Sequence, residues 1–130
     1  VMRLKTRINF LKILPPGRSV SYCRSYITPR DTLVATVPIG YADGYSRLLS
    51  NRAWAAVRGQ KVPLIGNVCM DQCMFDVTGV EGVKTGDEMV LFGRPEDGIT
   101  ADDLAEITGT INYEVVCTVG PRIPRIYIQE

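Results

Sequence analysis

The amino-acid sequence predicts a mainly β fold, a barrel-like antiparallel domain with one or two short helices near its C-terminus. Residues 2–10 alternate between apolar and polar side chains, as a half-buried strand does. Further short apolar runs follow, and glycine or proline separates most of them. Short strands at this spacing are typical of a barrel or a sandwich. The one strong helical pattern comes late, after residue 100.

The strands are expected in chain order, with a turn signal at residues 15–17 after the first. In the first strand, Met2, Leu4, Ile8 and Phe10 are expected to point to one face. In the strand at 68–77, Asp71 and Gln72 interrupt an apolar run and point to opposite faces, so at least one should be buried with a hydrogen-bond partner. The expected strands are residues 2–10, 20–26, 33–39, 53–57, 62–64, 68–77, 88–92 and 123–128.

A short helix is expected between Thr100 and Gly109. Thr100 can cap its start, with Asp103 three residues on as a relative of the capping box, and Gly109 ends it. One or two further helical turns are expected at residues 110–118. We find no repeat, low-complexity tract or linker, so residues 1–130 are expected to form one domain.

Composition excludes several function classes. Of 130 residues, 45% are apolar, which indicates a globular chain. With 15 Lys and Arg against 14 Asp and Glu, the charge gives no reason to bind nucleic acid or an anionic membrane. No apolar run approaches the length of a membrane span and no signal-peptide pattern opens the chain, so we expect a cytoplasmic protein. Because the chain opens with Val1 and a strand pattern, we expect it to continue upstream.

The four cysteines are too few for a disulfide framework in a chain of this length. Cys69 and Cys73 lie four apart, which does not match a zinc knuckle, and the chain has no histidine. We therefore expect no metal site, and we expect buried thiols in a reducing compartment.

Without histidine, acid–base chemistry falls to Asp, Glu, Lys, Cys or Tyr. Tyr22, Arg24 and Tyr26 alternate, so in an extended segment they share a face. A guanidinium beside a phenol lowers its pKa from about 10, which would make Tyr22 a base at neutral pH. The alternative is that tyrosines simply favour strands.

Two further segments could line a site. Residues 40–45, GYADGY, follow a strand and hold two aromatic rings between glycines, which suits either a site-lining loop or a tight turn with aromatic packing. Tyr113, near a helix start, could hydrogen-bond an anion there.

Several stretches match one family together and in order. They are residues 20–22 (VSY), 37–45 (VPIGYADGY), 63–66 (PLIG) running into 69–72 (CMDQ), 109–114 (GTINYE) and 122–127 (RIPRIY). They strongly resemble the carboxy-terminal domain of alanine racemases, over nearly the whole chain.

The resemblance implies a two-part enzyme that interconverts L- and D-alanine for peptidoglycan synthesis. An amino-terminal (β/α)₈ barrel, not included in this chain, would bind pyridoxal 5′-phosphate through a lysine. The full-length enzyme would be a head-to-tail homodimer, in which this domain covers the cofactor of the partner subunit. The isolated domain would be inactive.

The resemblance also implies roles for six residues. Tyr22 matches the catalytic tyrosine, which exchanges the substrate α-proton on one face. Met70 matches the residue whose backbone amide approaches the substrate carboxylate, and Tyr41 matches a substrate-binding residue of the outer entrance corridor. Tyr113 matches a tyrosine that contacts the cofactor phosphate. Arg47 and Ile111 match the entrance corridor.

Two positions depart from the family pattern. Cys23 stands where glycine is usual, and a β-carbon there could re-aim Tyr22 if the backbone needs glycine. Asn67 stands where arginine is common, which removes a charge from the corridor. The alternatives to an alanine racemase domain are a domain of a serine-preferring racemase and a non-catalytic β-barrel interaction module.

Overall fold

The computed structural model describes residues 2–129, and at Tyr22 it describes the backbone alone. The described residues form nine strands, two α-helices and four single turns of 3₁₀ helix. The strands are β1 Leu4–Arg7, β2 Phe10–Leu14, β3 Ser19–Val20, β4 Tyr26–Ile27, β5 Thr32–Val37, β6 Trp54–Val57, β7 Gln60–Ile65, β8 Cys73–Asp76 and β9 Glu88–Phe92. The helices are α1 Ala101–Thr108 and α2 Asn112–Cys117, and the turns are Tyr22–Arg24, Tyr41–Asp43, Arg47–Leu49 and Pro95–Asp97.

Seven strands form one sheet in the order β1-β9-β6-β7-β8-β5-β2, with antiparallel neighbours. Only Ile8 and Asn9 separate β1 from β2, although these strands lie at opposite ends of the order. The Ile8 amide donates to the Asp87 carbonyl and the Asn9 amide to the Thr36 carbonyl, each at 3.0 Å. The chain thus bends from one edge of the sheet to the other, and this confirms the prediction of a barrel-like, mainly antiparallel β fold.

The bend contradicts the prediction of one strand over residues 2–10. Leu4 and Ile8 are buried as expected, whereas Met2 and Phe10 are exposed. The alternation fails because the segment changes its pairing partner after Ile8, and because a register shift interrupts β1 between Leu4 and Lys5.

The core fills the space that the curved sheet encloses. Phe75 of β8 and Met89 and Leu91 of β9 are fully buried. Leu104 of α1 packs against the same core. Burying a side chain of this size contributes about 1.5–3 kcal/mol.

The helix prediction is confirmed for α1. The Asp103 amide donates to the Thr100 hydroxyl at 3.2 Å, and the Thr100 amide donates back to Oδ2 of Asp103 at 2.8 Å. Gly109 ends the helix at φ 77°. The second helix, α2, has Ile111 at its N-cap, and the preceding Thr110 hydroxyl donates to Glu114 Oε2 at 2.7 Å.

The strands predicted at residues 20–26 and 123–128 are also wrong, the first in part and the second in whole. Residues 20–26 form the ends of the β3–β4 hairpin and a 3₁₀ turn between them, so Tyr22, Arg24 and Tyr26 do not alternate along one extended strand. Residues 123–128 form no strand in the described chain. There, the Arg125 guanidinium donates to the carbonyls of Val119, Gly120 and Ile123 and folds the segment back on itself.

Neither helix within residues 2–129 has the length and hydropathy needed to cross a membrane.

Candidate functional site

The backbone of the predicted catalytic tyrosine lies in a tight turn with left-handed residues on both sides. Ser21 has φ 66°, Cys23 has φ 65° and Arg24 has φ 50°. Only glycine takes such angles without cost. The backbone at Cys23 is therefore the glycine-favouring conformation that the family pattern suggested for this position. The side chain of Tyr22 lies outside what the structure describes.

The loop at residues 66–72 packs against this turn. The Ser21 hydroxyl donates to the Asn67 carbonyl at 2.9 Å and lies 3.3 Å from Cys69 Sγ. Gly66 makes the approach possible, since a β-carbon there would lie 2.8 Å from the Val20 carbonyl oxygen and 2.9 Å from Ser21 Cβ. A side chain at position 66 would push the turn away.

This loop replaces the first half of the strand predicted at 68–77, of which only Cys73–Asp76 is a strand. Met70, Asp71 and Gln72 are all exposed, so the predicted burial of Asp71 or Gln72 is wrong. The loop closes on itself, because the Cys69 amide donates to the Gln72 carbonyl at 2.9 Å. Met70 stands at the tip, with its side chain 59% exposed.

The structure brings the Tyr41 segment to the Met70 loop through the backbone. The Tyr41 amide donates to the Cys69 carbonyl at 3.0 Å, and the Ala42 amide donates to the Met70 carbonyl at 2.9 Å. A β-carbon on Gly40 would collide with both carbonyl groups. The GYADGY segment is thus a tight turn whose Tyr41 side chain remains 41% exposed.

Arg47 lies in the next turn, Arg47–Leu49, which is tied to the same loop. Ser50 Oγ accepts from the Val68 amide at 2.9 Å and donates to the Arg47 carbonyl at 2.6 Å. The Ser46 hydroxyl accepts from the Leu48 amide at 3.1 Å and caps this turn. Arg47 is exposed beside the loop that carries Met70.

Ile111 and Tyr113 lie on a neighbouring element, at the start of α2. Their side chains are 63% and 73% exposed, and both border an open depression of about 420 Å³ between α1 and α2. Gly44 packs closely against the carbonyl of Thr118, at the end of α2. The Gly120 amide donates to the Asp43 carbonyl at 2.8 Å, so the segment after α2 is fixed to the Tyr41–Asp43 turn.

Sequence analysis missed two residues that organise this surface. The side-chain amide of Asn51 donates a hydrogen bond to the Ser25 carbonyl and accepts one from the Gly66 amide. Asp43 is buried, and its carboxylate accepts hydrogen bonds from the Gly40 amide and the Arg122 guanidinium. The Asp-Gly pair at 43–44 is a turn signal, but Arg122 and the two partners of Asn51 lie far along the chain, where no local pattern points to them.

Two buried titratable groups, Tyr45 and Cys73, adjoin these loops but lie in the core, so they do not supply a base. Burial raises the pKa of the Tyr45 phenol well above its usual value, and the nearby Cys73 adds to the effect. Burial raises the pKa of Cys73 as well. The Tyr45 hydroxyl has no hydrogen-bond partner among the described residues, so it stays protonated inside the core.

The four cysteines are free, and the prediction that they are buried is wrong in part. Cys73 is buried, Cys69 is intermediate, and Cys23 and Cys117 are exposed. Within the described part of the chain, no three Cys, Asp or Glu side chains form a group that could hold a metal ion.

Comparison with known proteins decides the family. The family model described as "Alanine racemase, C-terminal domain" matches residues 1–127. The chain belongs to this family. An alanine racemase of Desulfovibrio desulfuricans is 53% identical over 129 residues, which cover 99% of this chain and 34% of the relative.

Solved structures agree with the fold. The alanine racemase of Streptomyces coelicolor matches with a TM-score of 0.94 and 40% identity, over 100% of this chain and 34% of the other. That of Bartonella henselae, with covalently bound pyridoxal phosphate, matches with a TM-score of 0.91 and 31% identity, over 97% of this chain and 34% of the other. The chain therefore spans about a third of the length of the alanine racemases it matches.

In this alanine racemase domain, the depression between α1 and α2 has Tyr113 in its lining. The depression beside Tyr113 is open to solvent, and none of its lining residues is a lysine. An exposed phenol at a helix start can donate a hydrogen bond to a phosphate oxygen. The exposed Tyr113 phenol thus fits one hydrogen-bond contact to a phosphate group such as that of pyridoxal phosphate.

Proposed function

We propose that this chain is the domain that supplies Tyr22 to pyridoxal-phosphate-dependent racemisation of alanine in a full-length, dimeric enzyme. The observation that carries the proposal is the convergence of three segments: the turn of Tyr22 packs on the loop of Met70, and that loop binds the turn of Tyr41 through two backbone hydrogen bonds. Family membership supplies the reaction class.

In this proposal, Tyr22 exchanges a proton with one face of the substrate α-carbon. As a phenolate, its oxygen accepts the α-proton of one enantiomer and becomes a phenol, and in the reverse direction the phenol returns a proton to the same face. A second base, on the other face, belongs to the part of the enzyme outside this chain. When bound, pyridoxal phosphate delocalises the negative charge left on carbon after proton removal. Two bases on opposite faces give inversion.

The remaining residues orient the substrate. The backbone amide of Met70 approaches the substrate carboxylate, and an N–H directed at a carboxylate forms a strong, charge-assisted hydrogen bond. Tyr41, Arg47 and Ile111 line the path by which the amino acid arrives. All three side chains are exposed, as the lining of a corridor completed by a second subunit would be.

Tyr113 contacts the cofactor phosphate and narrows the pocket together with Tyr22. A narrow pocket favours a methyl side chain over a hydroxymethyl group, so the proposed substrate is alanine, and the D-alanine would serve peptidoglycan synthesis. Turnover of L-serine at the rate of L-alanine would instead favour the serine-preferring alternative.

The deciding experiment is Tyr22→Phe in the full-length enzyme. This change removes one oxygen atom, and we expect it to abolish most racemisation, with unequal losses of kcat for L- and D-alanine. Tyr26→Phe, four residues on, removes the same atom from a tyrosine outside the proposed site and should leave racemisation near the wild-type rate. Undiminished turnover by Tyr22→Phe would refute the role of Tyr22.

A further inference from the structure

We propose that Asn51 is a positioning residue for racemisation, which holds the turn of Tyr22 in place by binding its far end. The proposal rests on the proposed role of Tyr22 as a base. It concerns a residue that touches neither substrate nor cofactor and acts through the backbone of its neighbours.

The turn of Tyr22 has a backbone that needs external support. Ser21 has φ 66° and ψ −178°, a region that is essentially restricted to glycine. Cys23, at φ 65° and ψ 9°, and Arg24, at φ 50°, are left-handed. Side-chain-bearing residues hold such conformations only where surrounding contacts fix them.

The start of the turn is fixed by Ser21. Its hydroxyl donates to the Asn67 carbonyl at 2.9 Å, and the backbone of the turn rests against Gly66. These contacts join the residue before Tyr22 to the loop that carries Met70.

The end of the turn is fixed by Asn51. Its Nδ2 donates to the carbonyl of Ser25 at 3.2 Å, and its Oδ1 accepts from the amide of Gly66 at 2.7 Å. The Asn51 side chain therefore links Ser25, which follows the turn, to Gly66. Gly66 also contacts Ser21, at the start of the turn. Tyr22 lies between two fixed points, both anchored at the Gly66 loop.

The position requires an asparagine for two reasons. Asn51 itself has φ 59°, and asparagine tolerates the left-handed region better than most residues do. Its amide offers a donor and an acceptor together, which the two backbone partners require. Aspartate has the same shape and the same backbone tolerance but no donor.

Asn51→Asp in the full-length enzyme is therefore a selective probe. It keeps the acceptor for the Gly66 amide and places a negatively charged oxygen opposite the Ser25 carbonyl, so the bond to the turn is lost and the two oxygens repel each other. We expect kcat/KM to fall about tenfold in both directions, less than the ~100-fold that a misplacement of 1 Å can cause. The absorbance of the bound cofactor and the dimeric state of the enzyme should both be unchanged.

Asn9→Asp is the charge-matched control, because Asn9 is an exposed asparagine between β1 and β2. This variant should racemise alanine at the wild-type rate.

Deuterium isotope effects separate positioning from a structural role. If Tyr22 is displaced, its proton transfer limits turnover more strongly, and the primary isotope effect should rise for one α-deuterated enantiomer of alanine and not for the other. A smaller fraction of folded enzyme would lower both rates and leave both isotope effects unchanged, which would overturn the proposal. In the Tyr22→Phe background, Asn51→Asp should add no further loss, because residues that act as one unit are not additive.

Three further outcomes also decide the matter. Wild-type kinetics for Asn51→Asp, beside an inactive Tyr22→Phe, would refute the role of Asn51 and leave that of Tyr22 intact. An active Tyr22→Phe would refute the proposed function itself. If Asn51→Asp does not fold, Asn51→Gly permits the left-handed backbone and removes both bonds, and it must show the same asymmetric isotope effect for the proposal to stand.

Discussion

The guanidinium of Arg122 donates two hydrogen bonds to Oδ1 of Asp43, at 3.1 Å from Nε and 2.7 Å from Nη2. The Asp43 side chain is 6% exposed, and its other oxygen accepts from the Gly40 amide at 3.2 Å. A buried carboxylate is costly unless it is paired and hydrogen-bonded. The pair therefore compensates for the burial of Asp43 and fastens the C-terminal segment to the turn that carries Tyr41.

We expect Arg122→Gln to destabilise the 130-residue chain by about 1–3 kcal/mol. Removing one partner of a buried ion pair costs about 3–5 kcal/mol, and the exposure of the Arg122 side chain, 62%, reduces that figure. Urea denaturation followed by circular dichroism measures the change. Arg18→Gln, at an exposed position in the β2–β3 connection, is the control. Equal stability of the two variants would show that Asp43 does not depend on Arg122.

Cys23→Gly should stabilise the domain by up to about 1 kcal/mol. A left-handed conformation costs a residue with a β-carbon about 1–2 kcal/mol, and the extra freedom of glycine in the unfolded chain offsets part of the gain. Cys117→Gly is the matched control, because Cys117 is also exposed but ends a right-handed helix. There, glycine should destabilise by about 0.5–1 kcal/mol. Midpoints of thermal unfolding compare the two, and shifts of the same sign would contradict the left-handed backbone at Cys23.

Local signals made part of the fold predictable. The start of α1 follows from the Thr100 and Asp103 capping pair, and its end follows from Gly109. These signals are local in sequence, and the structure confirms them. The antiparallel, barrel-like class follows from alternation and turn spacing. No local pattern predicted that the chain changes its paired strand after Ile8, from β9 to β5, because strand pairing depends on residues far along the chain.

The candidate site was less predictable from physical pattern alone. Residues 68–70 have the apolar character of a strand, yet the carbonyls of Cys69 and Met70 accept hydrogen bonds from the amides of Tyr41 and Ala42 and not from a neighbouring strand. The turn of Tyr22 has no glycine or proline to mark it. Family resemblance, carried by short stretches scattered along the chain, identified the six site residues, and their roles remain predictions.

The four thiols should react at very different rates with an alkylating reagent. Only a thiolate reacts readily, and burial raises the pKa of Cys73 while it excludes the reagent. Cys23 and Cys117 are exposed and should be modified first. Mass spectrometry of the native chain over time gives the order, and unfolding in urea should make all four react alike. Modification of native Cys73 as fast as Cys117 would contradict its burial.

The free energy of unfolding should depend on pH because of the ion pair between Asp87 and Arg58. Arg58 Nε donates to Asp87 Oδ2 at 2.7 Å and the Lys84 amide donates to the same oxygen at 3.0 Å. The hydrogen bond from Arg58, followed by that from Lys84, holds the pKa of Asp87 below its usual value of 3.8. Because the carboxyl group binds its proton more weakly in the folded chain, it contributes stability above pH 3.8, and this contribution is lost as the pH falls through the lower, folded value.

Asp87→Asn should therefore unfold at a lower urea concentration than wild type at pH 6–7, where the carboxylate is charged. The difference should shrink as the pH falls below 3.8, because the carboxylate of the unfolded wild-type chain then takes up a proton, and it should level off below the lower pKa of the folded chain. Urea midpoints measured from pH 7 to pH 2.5 test this, with Asp31→Asn at an exposed position as the control for loss of a charge. A difference that stays constant down to pH 2.5 would mean that Asp87 acts through its shape and not through its charge.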